Sequence, residues 1–185
     1  MKKTGLIAML FIPVLMLVNS SKSKAQMLSA DSVKAQMLKD WERAKTYTID
    51  YLNTMPTDKY SLKATDSVRS FAQQMLHLAQ GNLFLMSTAT DIKPPAWAQA
   101  DLEHSAGAAS KDSVMYYVTT SYDYCSDAVK NTDLSKWSEK KKVFGTEATR
   151  WALMMKTFEH QTHHRGQTTI YIRLAGVKPP QERLF

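Results

Sequence analysis

His160-Gln161-Thr162-His163-His164 places three imidazoles within five residues of one another. In a helix turning about 100° per residue, His164 stands about 40° from His160, and His163 about 60° away on the other side. Imidazoles at i and i+4 project toward one point and can share a divalent ion, the spacing used by helical zinc motifs. The alternative for such a pair is a hydrogen-bonded core or surface role. The stripe expected to face inward is Leu153, His160, His164, Gln167, Tyr171 and Leu174. Gln167 and Tyr171 are therefore candidate pocket residues, able to hydrogen-bond a ligand; the alternatives are packing behind the site for Gln167 and a core aromatic role for Tyr171. Arg165 and Glu159, about 140° and 100° from His160, are expected to face water.

A further ligand has to come from elsewhere. His77 sits near the middle of another helical segment, as the pair does in its own. Groups at mid-height meet whether two helices run parallel or antiparallel. The apolar residues Phe71, Ala72, Met75, Leu76, Leu78, Ala79 and Leu83 centre almost opposite His77, while Gln73, Gln74, Gln80 and Gly81 share its side. Amphipathicity alone turns that side to solvent. The other reading is a polar cavity inside the fold. His104 falls in a long connection and is expected to be exposed.

Four segments must position these residues, over about 29–54, 66–89, 110–131 and 146–175. Apolar residues recur in them at three- and four-residue spacing, as in Met37, Trp41, Ala44, Thr48 and Tyr51, which marks helices with one buried face. Ser29 or Asp31, Asp66 and Thr146 are the expected caps. Pro56 stops the first segment, and Gly176 with Pro179-Pro180 ends the last. No stretch alternates with period two, so no sheet is expected. The fold class is all-α, a four-helix bundle that buries four apolar stripes together. The link from Thr90 to Ala109 is the longest. Twenty extended residues reach about 66 Å, twice the roughly 33 Å of a 22-residue helix. That crossover lets helices 2 and 3 run parallel, which predicts an up-down-down-up bundle.

Lys2 and Lys3 precede an uncharged apolar run from Leu6 to Val18, followed by polar residues and Ser23-Lys24-Ala25. This is the order of a secretory signal. The run is too short for a membrane span, which needs roughly 20 residues. Residues 1–25 are thus expected to be removed on export to the periplasm or exterior, leaving a domain over 26–185 with no stable membrane insertion. Their loss takes four lysines and no acid, so the formal charge falls from +7 to +3. Little remains to argue for nucleic acid. Lys140-Lys141-Lys142 is too short a cluster and reads as a solvated loop. The single cysteine, Cys125, excludes an intrachain disulfide and any multi-cysteine zinc site.

His160 to Gln167, followed by Tyr171-Ile-Arg173-Leu-Ala-Gly176-Val-Lys-Pro179-Pro180, resembles the C-terminal signature of the DinB-like metal-binding four-helix bundles. Phe71 to Ala79 is similar to the family's segment carrying its first histidine. The resemblance implies an up-down-down-up bundle and one divalent metal held by His77, His160 and His164, with His163 outside the set. Three neutral imidazoles suit zinc or nickel best, with iron and manganese as competitors. Three protein ligands leave a position open, as in catalytic sites. Family members of known activity include thiol-dependent transferases and an isomerase, whose thiol cofactors are cytosolic; an exported chain departs from that setting. The expected function is a metal-dependent hydrolase or transferase acting on a small molecule. The alternative is a non-catalytic, metal-stabilised binding or dimerising module. Trp151, Met154, Met155 and Phe158, apolar on the other side of the last segment, fit either deep burial or a homodimer interface.

Overall fold

The computed structural model describes residues 28–185. The expected secretory signal over 1–25 lies outside the described residues. Four helices carry the fold: α1 (Ala30–Thr54), α2 (Phe71–Thr90), α3 (Lys111–Asn131) and α4 (Arg150–Leu174). Each starts on a hydroxyl cap. Ser29, Ser70, Ser110 and Thr149 accept from the backbone N–H three residues on, satisfying donors that have no partner within the helix. Two caps differ from those expected. Helix α2 opens at Ser70 rather than Asp66, because Gln73 returns a bond to the Ser70 N–H and completes a capping box. Helix α4 opens at Thr149 rather than Thr146.

The segment before α4 also corrects the sheet-free expectation. Lys140–Val143 (β1) and Thr146–Thr149 (β2) pair antiparallel, with Val143 opposite Thr146. Phe144 and Gly145 form the two-residue turn, with φ of 49° and 80°, as a mirror-image hairpin turn requires. Four residues per strand are too few to show a period of two in the sequence.

Helix α2 packs against both α3 and α4, and α1 against both as well, so α1 and α2 lie across the bundle from each other. The core between them includes Trp41, Leu52, Phe71, Met75, Leu83, Val118, Tyr122 and Ile172. Trp41 meets Tyr122 and Phe158 edge-on, at centroid distances of 5.6 and 5.3 Å, a favoured aromatic geometry. Among the described residues no helix is long and apolar enough to cross a membrane.

Helix α4 buries Leu153, His164 and Tyr171 of its expected inward stripe, but its buried side is turned further toward Arg165 than expected. Its buried side includes Thr157, Gln161, Arg165, Thr168 and Ile172, whereas Gln167 and Leu174 are exposed. Arg165, expected in water, is only 6% exposed. Its guanidinium donates to Gln161 Oε1 at 2.9 Å and stands 4.7 Å over the Tyr47 ring. Tyr122 donates to the same Gln161 oxygen, and Thr48 lies within reach of both Tyr122 and Arg165. A buried charge needs such partners. The network links α1, α3 and α4, and puts the histidines at the edge of α4's buried side. Trp151 and Met155 are exposed at 41% and 39%, while Met154 is buried.

Arg150 ties the start of α4 to the end of α2. It donates to Ala89 O and pairs with Asp91 and Glu139. Arg150→Ala leaves that helix-terminal carbonyl buried without its donor, and should cost about 1–3 kcal/mol. Urea denaturation followed by circular dichroism measures the loss, with native helix content retained.

Candidate metal centre

Helices α2 and α4 run antiparallel: Gln74 meets His164, Gly81 meets His160, and Ala89 meets Arg150. This pairing brings His77 level with the α4 pair. One ligating nitrogen from each of His77, His160 and His164 lies within 4.8 Å of the other two. The ring centroids of His77 are 5.3 Å from His160 and 4.5 Å from His164, and those two rings are 4.4 Å apart. His163 is exposed and outside the cluster, against the side of His164.

The polar side of α2 is only partly open to water, where amphipathicity alone suggested full exposure. The α2–α3 crossover lies along it. Gln73 donates to Glu103 O, Gln80 to Ala100 O, and the Glu103 carboxylate meets His77 Nδ1 at 2.6 Å. Glu103 is thus a site residue that the sequence did not mark; it lies in a connection with no periodicity. Arg69 holds its other oxygen. Burial raises the Glu103 pKa, but hydrogen bonds from Arg69 and His77 outweigh it, and the net direction is down. An ionised carboxylate on Nδ1 orients the His77 ring and leaves Nε2 for a metal, the usual support for a ligating histidine. Gln74 does the same for His164, its Oε1 standing 2.9 Å from His164 Nδ1.

His160 is placed by an absence of side chain. A Cβ at Gly81 would lie 2.1 Å from His160 Cε1, so only glycine lets the ring seat against α2. His160 Nδ1 is buried with no hydrogen-bond partner among the described residues, a costly state for a polar atom. Burial lowers the pKa of His160 to about 4 and of His164 to about 3; the neighbouring imidazoles and Arg69 push the same way. Both rings are therefore neutral at pH 7, the form that binds metal. Neutral donors, an orphaned nitrogen, braced rings and a glycine cradle all fit one divalent ion.

Of two cavities near the triad, one is lined by the residues that support it and the other by two of its histidines. A polar one of about 550 Å³ is lined by Arg69, Gln73, Gln74, Glu103 and Gln167 among others. An apolar one of about 440 Å³ is lined by Phe84, Leu85 and Phe144, with His77 and His160. Gln167 thus faces a cavity, though exposed and outside the histidine cluster. Tyr171 is buried, and its hydroxyl donates to Arg69 O, which commits it to holding the chain before α2. His104 is exposed and bonded to Asp101; Glu159 is exposed and paired with Lys156.

A family model for the DinB family matches residues 24–183. The chain belongs to the DinB family. A DinB-like protein from Bacillus cereus has a crystal structure that superposes with a TM-score of 0.70 at 17% identity, covering 80% of this chain and 97% of the other. The DinB-like protein YjoA of Bacillus subtilis superposes with a TM-score of 0.56 at 15% identity, over 81% and 96% of the two chains. Both likenesses are to the fold. The uncharacterized protein YrdA of Bacillus subtilis is 24% identical over 148 residues, which is 77% of this chain and 83% of that one.

Two outcomes follow for this DinB protein. Gly81→Ala should leave the metal-free fold at least as stable, since alanine favours a helix interior by about 1 kcal/mol over glycine, yet weaken metal binding because the new methyl displaces His160. Thermal melts and metal titration separate the two effects. Without metal, stability should fall as pH drops from 6.5 toward about 4, because the unfolded chain takes up the protons that His160 and His164 refuse when folded. Melting temperatures of chelated protein across that range check the sign.

Proposed function

We propose that this DinB protein is an exported, metal-dependent hydrolase or transferase acting on a small molecule, with one divalent ion held by His77, His160 and His164. The convergence of three imidazoles, two of them braced by Glu103 and Gln74, beside an apolar cavity carries the reading. Three neutral nitrogen donors favour zinc or nickel. An ion there supplies Lewis acidity, by which a water or a thiol becomes a nucleophile near neutral pH.

The chain's own residues account for the rest. Glu103 and Gln74 hold His77 and His164 in one orientation and tautomer. Gln167 lines the polar cavity and is suited to hydrogen-bond a polar group of the substrate. Arg69 lines the same cavity as a fixed positive charge. Tyr171 positions Arg69 through its backbone rather than touching substrate. Export rests on the charged, apolar, small-residue order of residues 1–25.

The exposure of Trp151 and Met155 favours a second reading, a metal-stabilised module that pairs with another copy and has no activity. Screens for hydrolysis and thiol conjugation, run with and without chelator, decide between them.

Tag-free protein should contain about one divalent ion per chain by elemental analysis, as three ligands for one site require. His77→Ala, His160→Ala and His164→Ala should each lose it, and His163→Ala should keep it. Glu103→Ala should weaken binding about 10–100-fold, the usual cost of removing a ligand's hydrogen-bonded support. Full metal retention in His77→Ala would falsify the triad.

A further inference from the structure

The turn between β1 and β2 carries a residue that neither its backbone nor its solvation favours. Phe144 has a φ of 49°, a region that non-glycine residues with bulky side chains rarely adopt. The residue is 84% exposed. Asparagine, aspartate or glycine ordinarily fills such a hairpin position. Strain of this kind is held at ligand clamps more often than elsewhere. The Phe144 ring lies 5.4 Å from that of Phe84, itself 49% exposed on α2, with the ring planes 35° apart.

These two rings belong to the apolar cavity beside the triad. Phe84, Leu85, Ala98 and Phe144 supply its apolar lining, and His77 and His160 line it too. The remaining polar side chain, Gln80, has its amide nitrogen bonded to Ala100 O. An adjoining cavity shares Leu85, Phe144 and His160. A volume of about 440 Å³ lies within the range of small-molecule sites, which pair apolar walls with a few polar groups. Here those groups are two histidines of the metal site.

We infer that Phe84 and Phe144 are specificity-determining residues that grip an aromatic or branched aliphatic group of the substrate, whose polar end reaches the ion at His77 and His160. The substrate class is therefore a small amphipathic molecule with a metal-binding head and an apolar body. This inference rests on the metal reading of the triad. The apolar cavity selects the body. The polar cavity beside Glu103 and Gln74, with Arg69 and Gln167, takes the groups that remain hydrated.

The test uses zinc-loaded protein and two metal-binding probes, acetohydroxamate and benzohydroxamate, titrated by calorimetry. Benzohydroxamate should bind at least about tenfold more tightly, a difference that one buried ring can supply. Phe84→Ala and Phe144→Asn should each remove most of that preference, while zinc content and acetohydroxamate affinity stay the same. Asparagine tolerates the left-handed turn, so Phe144→Asn should melt no lower than the parent, and loss of its preference is not a loss of fold. Zinc-loaded protein that binds both probes equally, or binds neither, overturns the cleft assignment. An unchanged preference in both variants does the same. A chain that takes up no zinc or nickel overturns the metal reading itself.

Discussion

The close approach of α2 to α4 at Gly81 and His160 is the contact on which the site depends. An imidazole occupies the space that any other residue at position 81 would fill with its own Cβ. This seat brings His160 to within 5.3 Å of His77, across from it on α2, and keeps His164 one turn away. Antiparallel packing with Arg150 tied to the end of α2 sets the register along the pair. The crossover completes the enclosure by laying Glu103 on His77. Three elements distant in sequence thus meet at one set of nitrogens.

Polar burial runs through this bundle on two levels. On the α1–α4 side, Arg165, Gln161, Thr48 and Tyr122 satisfy one another without a carboxylate. On the α2–α4 side, the histidines are only partly satisfied. Glu103 and Gln74 each take one nitrogen, and His160 Nδ1 has no partner among the described residues. A closed network of hydrogen bonds rigidifies a core, whereas an incomplete one carries an unmet demand. The contrast marks the first cluster as structural and the second as a group that could hold a metal ion. Depressed histidine pKa values follow from the same burial, and they keep the nitrogens available to a metal.

Much of this could be read along the chain. The four helices follow from apolar spacing, and the ends of α1 from the Ser29 cap and the Pro56 stop, because those signals are local. The pairing of His160 with His164 needs only the pitch of a helix. Ser70 with Gln73 was a local signal as well, a capping box that marks the true start of α2 better than Asp66 does. Gly81, one turn beyond His77, was visible as a helical glycine, but nothing nearby named the ring that fills its space. Helix α4 misled because histidine, glutamine, threonine and arginine surround it. With no clean apolar stripe, the rotation that buries Arg165 and exposes Gln167 depended on what α1 and α3 present to it.

The sequence by itself determined that this protein is helical, that α4 carries two imidazoles on one face, and, through its resemblance to the DinB family, which third histidine joins them. Each of these rests on short-range periodicity or on a motif contained in one segment. Tertiary structure alone decided that the polar side of α2 is partly covered by the crossover, that Glu103 braces His77, and that a hairpin presents Phe144 beside the triad. Those outcomes depend on where a twenty-residue crossover and a ten-residue hairpin come to rest. Neither segment has a helical repeat to report its path. Their positions follow from hydrogen bonds and ring contacts made to α2.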